Sequence, residues 1–167
     1  AGTKKFIMSL VQNKVIKDKD WNLKRAEELM TVAVEKFKPN VIALPEFFNT
    51  PLFTSGGNPY DYAEFKEDSL TIKMLSDFAR KHKIYLIGGS IPIKVDDPSK
   101  KVFNTSFSFD INGDIKATYR KMHLFDIDIP GKIYYKESDK VIPGNREDLL
   151  TVFETPFAKF GIGICYD

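Results

Sequence analysis

Val41-Ile42-Ala43-Leu44-Pro45-Glu46 decides the fold. Four apolar residues in a row, closed by a proline, read as a short strand buried on both faces of a sheet. Just before it, Pro39-Asn40 stops a helix whose apolar face is Leu23, Ala26, Leu29, Met30, Ala33, Val34 and Phe37, with Asp20 placed to cap its start near Trp21. Further upstream, Phe6 to Gln12 is a mostly continuous apolar run, a second buried strand. Strand, helix and strand in series make a βαβ unit, which requires a parallel sheet. Glu46 therefore sits just beyond the carboxyl end of a parallel strand, where open α/β sheets place their sites.

Downstream, Phe47 to Asp68 reads as a long loop with short helical pieces, rich in aromatics (Phe47, Phe48, Phe53, Tyr60, Tyr62, Phe65) and carrying Gly56 and Gly57. A loop of that length is a candidate pocket wall. Ser69 caps a second helix with Ile72, Leu75, Phe78 and Ala79 on its apolar face, running to about His82. Ile84 to Ile87 follows as a third strand, ended by Gly88-Gly89, and Asp96 to Lys101 is a charged turn. Val102 to Asp110 and Asp114 to Tyr119 alternate around Asn112-Gly113, a hairpin signature. Parallel pairing first and antiparallel pairing later predict a mixed sheet with helices. Ile127 to Arg146, punctuated by Pro130, Gly131, Pro143 and Gly144, reads as loop. Thr151 to Glu154 is a short strand, and Lys159 to Ile164 is a glycine-interleaved strand that delivers Cys165.

With 167 residues and 43% hydrophobic content the chain supports one domain with a real core. Its 25 basic residues are scattered among 23 acidic ones for a net charge of +2, which argues against nucleic acid as a partner. No apolar run reaches membrane-spanning length and no signal peptide is visible, so a soluble, intracellular protein is expected. A single cysteine forms no internal disulfide, in keeping with a reducing compartment. Ala1-Gly2-Thr3 reads as a cloning remnant outside the fold.

Cys165, the lone sulfur, has an ordinary reading as a small buried hydrophobe and a reactive one as a nucleophile. The reactive reading needs a base or a neighbouring cation. His82 belongs to a helix end, leaving His123 as the histidine available for a Cys-His pair. The carboxylates of Glu46 and Glu137 and the ammonium of Lys121 offer another solution: a desolvated Glu as base, and a Lys that favours the thiolate and stabilises an oxyanion.

Three separated segments then match one pattern. Leu44-Pro45-Glu46-Phe47-Phe48-Asn49, Tyr119-Arg120-Lys121-Met122-His123-Leu124-Phe125 and Gly161-Ile162-Gly163-Ile164-Cys165-Tyr166-Asp167, in that order, resemble the nitrilase superfamily of carbon-nitrogen hydrolases. The run from His123 to Lys132 is similar to the omega-amidase branch, and the resemblance covers essentially the whole chain. It implies an α/β fold forming the N-terminal part of an αββα sandwich. It also implies a catalytic Glu46, Lys121 and Cys165, with Glu137 as a supporting glutamate that orients Lys121. The implied activity releases ammonia from monoamides of small 2-oxo dicarboxylic acids, such as 2-oxoglutaramate, through a cysteine thioester. No cofactor and no metal are implied. The implied partner is a small amide, with no membrane association, in a homo-oligomer (a dimer or larger) of the cytoplasm or mitochondrion.

Two departures accompany the resemblance. Family members continue well beyond the cysteine, through a further helix, more strands and a second helical layer, whereas this sequence stops at Asp167. The expectation is one hydrolase domain, 1–167, truncated at its C-terminal end. Omega-amidases also usually carry Cys after the glutamate and Tyr in the following segment, where this chain has Phe47 and Leu52. Other readings are an amidase acting on a different small amide, such as a deaminated peptide, and a catalytically silent assembly module.

Overall fold

The computed structural model describes residues 5–51, 57–148 and 151–167. Expectations resting on Ala1-Gly2-Thr3, Leu52, Phe53 and Gly56 lie outside the described residues. Strands β1 (Met8–Leu10), β2 (Val41–Ala43) and β3 (Tyr85–Ile87) run parallel, connected by helices α1 (Lys19–Phe37) and α2 (Leu70–His82). Strand β4 (Ile91–Lys94) and the hairpin of β5 (Val102–Phe109) and β6 (Ile115–Arg120) complete a six-stranded mixed sheet of order β1-β2-β3-β5-β4, with β6 on β5. The expected mixed sheet is present. No described helix is long and apolar enough to cross a membrane.

Helix α1 starts earlier than the apolar period suggested: Asp18, not Asp20, is its cap, its side chain accepting the Trp21 N–H at 2.9 Å. Asp20 lies in the first turn, where the helix dipole favours a carboxylate. Ser69 caps α2 as expected, its Oγ accepting from Ile72 N at 3.0 Å. Both helices cover one face of the sheet. Ala26, Met30, Leu75, Phe78 and Ala79 pack with Ile42, Leu86, Phe107 and Phe109 in the main core. Phe48 belongs to that core and Phe47 is also buried, so the start of the aromatic loop is packing material rather than pocket wall.

The other face carries the antiparallel pair β9 (Val152–Glu154) and β10 (Lys159–Gly161). Phe6, Tyr85, Phe153, Phe157 and Phe160 join it to the sheet through ring contacts of about 6 Å. The period-2 alternation of β3 sends Leu86 toward the helices and Tyr85 toward this pair. β10 ends at Gly161 rather than at Ile164. Its partner begins at Val152, opposite Gly161, so the ladder runs out and the chain turns into the cysteine.

Three strands, β4 and the two of a later hairpin, escape the sequence reading. Gly88-Gly89 interrupts the sheet edge without ending it: Thr105 of β5 pairs with both Ile91 and Arg120, and Ser108 with both Ile87 and Ala117. β3 and β4 thus share one edge of β5 end to end, and β6 takes the other. Pro92 hides β4 from a pattern reading, yet an edge strand tolerates it. In the segment read as loop, β7 (Asp126–Ile129) and β8 (Ile133–Lys136) form a hairpin about Gly131, whose φ is 70°. The proline and glycine there mark a turn, and the alternating Asp-Ile-Asp-Ile is its strand.

The kink between β3 and β4 depends on Gly89, at φ +59°, where a Cβ would lie 2.2 Å from the carbonyl oxygen of Pro45. Gly89→Ala is expected to lower stability by roughly 2–4 kcal/mol through strain and steric displacement. Urea denaturation checks this, and an unchanged midpoint would contradict it.

Candidate active site

Strand direction brings the candidate residues to one rim. β6 is antiparallel to β5 and β5 to β3, so β6 runs the same way as β2. Lys121, leaving the end of β6, and Glu46, leaving the end of β2, therefore emerge on the same side. The Glu46 loop is held from behind. Ser90 N donates to Pro45 O at 3.3 Å, and Phe47 N donates to Ser90 Oγ at 3.1 Å, with Phe47 in the left-handed region at φ 47°.

Lys121 is 1% exposed, and its ammonium lies between two carboxylates. Nζ stands 2.9 and 3.1 Å from the oxygens of Glu137 and 3.4 Å from Glu46 Oε1. Glu137, equally buried, is fixed by a reciprocal pair with Phe125: its Oε2 accepts the Phe125 N–H at 2.7 Å, and its own N–H donates to Phe125 O at 3.1 Å. The Lys121 backbone is clamped as well, donating to Asn104 O at 2.9 Å and accepting from Gly144 N at 2.8 Å. Its neighbour Arg120 donates through Nε to the buried Asp148. Burial works against the Lys121 cation, but the hydrogen bonds it donates to Glu137 and the charges of Glu46 and Glu137 outweigh it and raise its pKa.

Cys165 is exposed rather than a buried hydrophobe, at φ 49°, and lines with Glu46, Ser90 and Ser106 an otherwise mostly apolar cleft of about 300 Å³. Desolvation pushes its thiol above the ordinary value, and the charge of Glu46 pushes in the same direction, while Lys121 pulls it down. Lys121 thus favours the thiolate as expected, but desolvation and the Glu46 charge outweigh it and the thiol rests protonated. One ammonium against two carboxylates leaves the cluster net negative, so losing the thiol proton to water adds unwelcome charge. Passing that proton to Glu46 does not.

The turn that presents Cys165 is tied to the Lys121 segment by Asp167. Its Oδ1 accepts from Met122 N and His123 N at 3.1 and 2.8 Å, and its Oδ2 from Ile164 N and the Tyr119 hydroxyl at 2.9 and 2.8 Å. Desolvation opposes the Asp167 charge, yet these donors hold its pKa below the ordinary range. His123 turns to the same carboxylate, Nδ1 3.1 Å from Oδ1, with its side chain 66% exposed. His82 packs on Phe78 at 4.3 Å between ring centroids, far along the fold at the end of α2. Asn104, Asp167 and Ser90 escaped the sequence reading. An Asn inside a strand, unfavourable there by propensity, is the local signal that could have drawn attention to Asn104.

A partly buried Glu, a buried Lys braced by a second Glu and an exposed thiol thus stand together on one rim. Residues 8–167 match the carbon-nitrogen hydrolase family, and the chain belongs to it. It is 46% identical to omega-amidase NIT2 of Xenopus tropicalis over 98% of this chain and 55% of that protein. A hydrolase of Schizosaccharomyces pombe is 45% identical over 97% of this chain and 48% of that protein. Among solved structures, Nit3 of Saccharomyces cerevisiae, a member of branch 10 of the nitrilase superfamily, superposes with a TM-score of 0.77 at 32% identity, covering 99% of this chain and 59% of that one. The NitFhit protein of C. elegans gives 0.76 at 30% identity, over 96% and 38%. The chain spans about half the length of the curated relatives it matches.

Proposed function

We propose that this chain carries the catalytic centre of an omega-amidase-type amide hydrolase, with Cys165 as nucleophile, Glu46 as general base and acid, Lys121 as oxyanion partner and Glu137 as the support of Lys121. The observation that carries the reading is the Lys121 ammonium held between Glu46 and Glu137, with the thiol under the influence of Glu46. Glu46 takes the thiol proton as sulfur bonds to the amide carbon, and the carbonyl electron pair moves to oxygen beside Lys121. Glu46 then gives that proton to the amide nitrogen, the C–N bond breaks and ammonia leaves a thioester on Cys165. Water attacks next, its proton passing to Glu46; the thiolate is expelled as the acid forms and recovers the proton. Sulfur, carboxylate and ammonium supply every step, so the chemistry calls for no metal or cofactor.

The rigid brace on Lys121 favours this reading over a Cys-His hydrolase, because His123 is engaged with Asp167. Likeness to omega-amidases supports the monoamide of a small 2-oxo dicarboxylic acid as substrate. The same likeness underlies assembly as a homo-oligomer and a cytoplasmic or mitochondrial location. Ammonia release from 2-oxoglutaramate by the full protein is the test, with Cys165→Ala expected to reduce it by at least about 10⁴-fold. Turnover that survives the substitution refutes the nucleophile. Faster hydrolysis of a deaminated peptide reassigns the substrate, and hydrolysis of neither favours the silent assembly module.

A further inference from the structure

Asn104 sits in β5 with no exposed surface, an awkward place for a primary amide. Its Nδ2 donates to Glu46 Oε1 at 2.8 Å, while its Oδ1 is buried without a hydrogen-bond partner. Turning the amide over would set Oδ1 against a carboxylate oxygen, acceptor against acceptor, so the Glu46 contact fixes its orientation. The backbone oxygen of Asn104 meanwhile accepts the Lys121 N–H at 2.9 Å. One residue therefore holds the side chain of Glu46 and the main chain of Lys121. A Leu of similar size would fill the space with no orphaned oxygen, so the amide is not there for packing.

Two donors among the described residues, Asn104 Nδ2 and Lys121 Nζ, reach one and the same oxygen of Glu46, Oε1. With its lone pairs so engaged, Oε1 is poorly placed to accept a proton as well. We propose that Asn104 is a positioning residue that pins Oε1 of Glu46 and leaves Oε2 as the oxygen that takes the Cys165 proton and returns it to the leaving nitrogen. This rests on the function proposed above. Without the pin the carboxylate can rotate about its terminal torsion, presenting either oxygen to Lys121 and losing its aim at the sulfur.

The test compares Asn104→Leu and the isosteric Asn104→Asp in the full protein, with Glu46→Gln as the reference for loss of the base. Asn104→Leu is expected to lower kcat by about 100-fold, the lower end of what a general base contributes, with KM within a few-fold and an unchanged or higher urea midpoint. A residue that served only the fold would lose stability and leave kcat alone. Asn104→Asp places a second carboxylate against Glu46, in a cluster whose other charged or titratable members are Lys121, Glu137 and Cys165. Tyr135 also faces this cluster, under the charges of Glu137, Lys121 and Glu46. Asn104→Asp is expected to be nearly inactive at neutral pH and to recover partly as pH falls and the new acid becomes a donor. Both variants retaining kcat within about threefold at neutral pH, with Glu46→Gln inactive, would overturn the positioning role and leave the proposed function standing. If Asn104→Leu does not fold, the Asn104→Asp profile decides: recovery at acid pH supports the pin, and a profile identical to the parent overturns it. Turnover by Glu46→Gln would instead remove the reading beneath.

Discussion

Lys121→Met is expected to abolish amide hydrolysis and also to cost the fold about 3–5 kcal/mol, a large share of the ~5–15 kcal/mol that holds a domain together. The reason is what it leaves behind. Glu137 is 1% exposed and its charge is neutralised by the Lys121 ammonium at 2.9 Å; with a methionine there, it keeps the Phe125 N–H but loses that cation. Removing both partners is far less costly than removing one. The double variant Lys121→Met with Glu137→Gln should therefore regain much of the lost stability while remaining inactive. The pH dependence has a definite sign. The raised pKa of Lys121 means that the pair's contribution is fully present below the unfolded lysine value and is lost only as pH rises through the folded one. Urea midpoints near neutral pH give the comparison, and a single variant within 1 kcal/mol of the parent would contradict the buried pairing.

Glu46→Gln should move two properties in opposite directions. Hydrolysis is expected to fall by at least about 10³-fold, because Glu46 is the titratable group that lines the cleft beside the thiol and carries its proton to the leaving nitrogen. The thiol itself should become more acidic. The charge of Glu46 raises the Cys165 pKa while that of Lys121 lowers it, so deleting the carboxylate charge leaves the ammonium less opposed. Loss of catalysis together with a gain in thiolate is not what a general loosening of the site would produce.

The sequence made the scaffold readable where period and punctuation agreed. The helical spacing from Leu23 to Phe37 and from Ile72 to Ala79, and the apolar runs at Phe6, Val41 and Ile84, place β1 to β3 and their helices. The Asn112-Gly113 turn places β5 and β6. It misled where one residue could mean two things. Gly88-Gly89 ends β3 as read, but the edge continues beyond it as β4, and Pro130-Gly131 is a hairpin turn rather than open loop. Glu46, Lys121, Glu137 and Cys165 stood out through their motifs. Asn104 and Asp167 did not, because what they do depends on partners 58 and 44 residues away, joined only by the folded backbone. The resting state of the thiol was hidden for the same reason. The lysine in the motif does pull the thiol toward the thiolate, but desolvation first, and then the charge of Glu46, outweigh it, and neither is visible before the chain is folded.

The most direct measurement is the rate at which iodoacetamide alkylates Cys165 in the full protein as a function of pH, for the parent and for Glu46→Gln. The account predicts slow alkylation of the parent at neutral pH, rising only above the ordinary thiol range, and faster neutral alkylation of Glu46→Gln. A parent that already alkylates rapidly at neutral pH, or a variant no faster than the parent, would contradict a sulfur governed by the Glu46 charge.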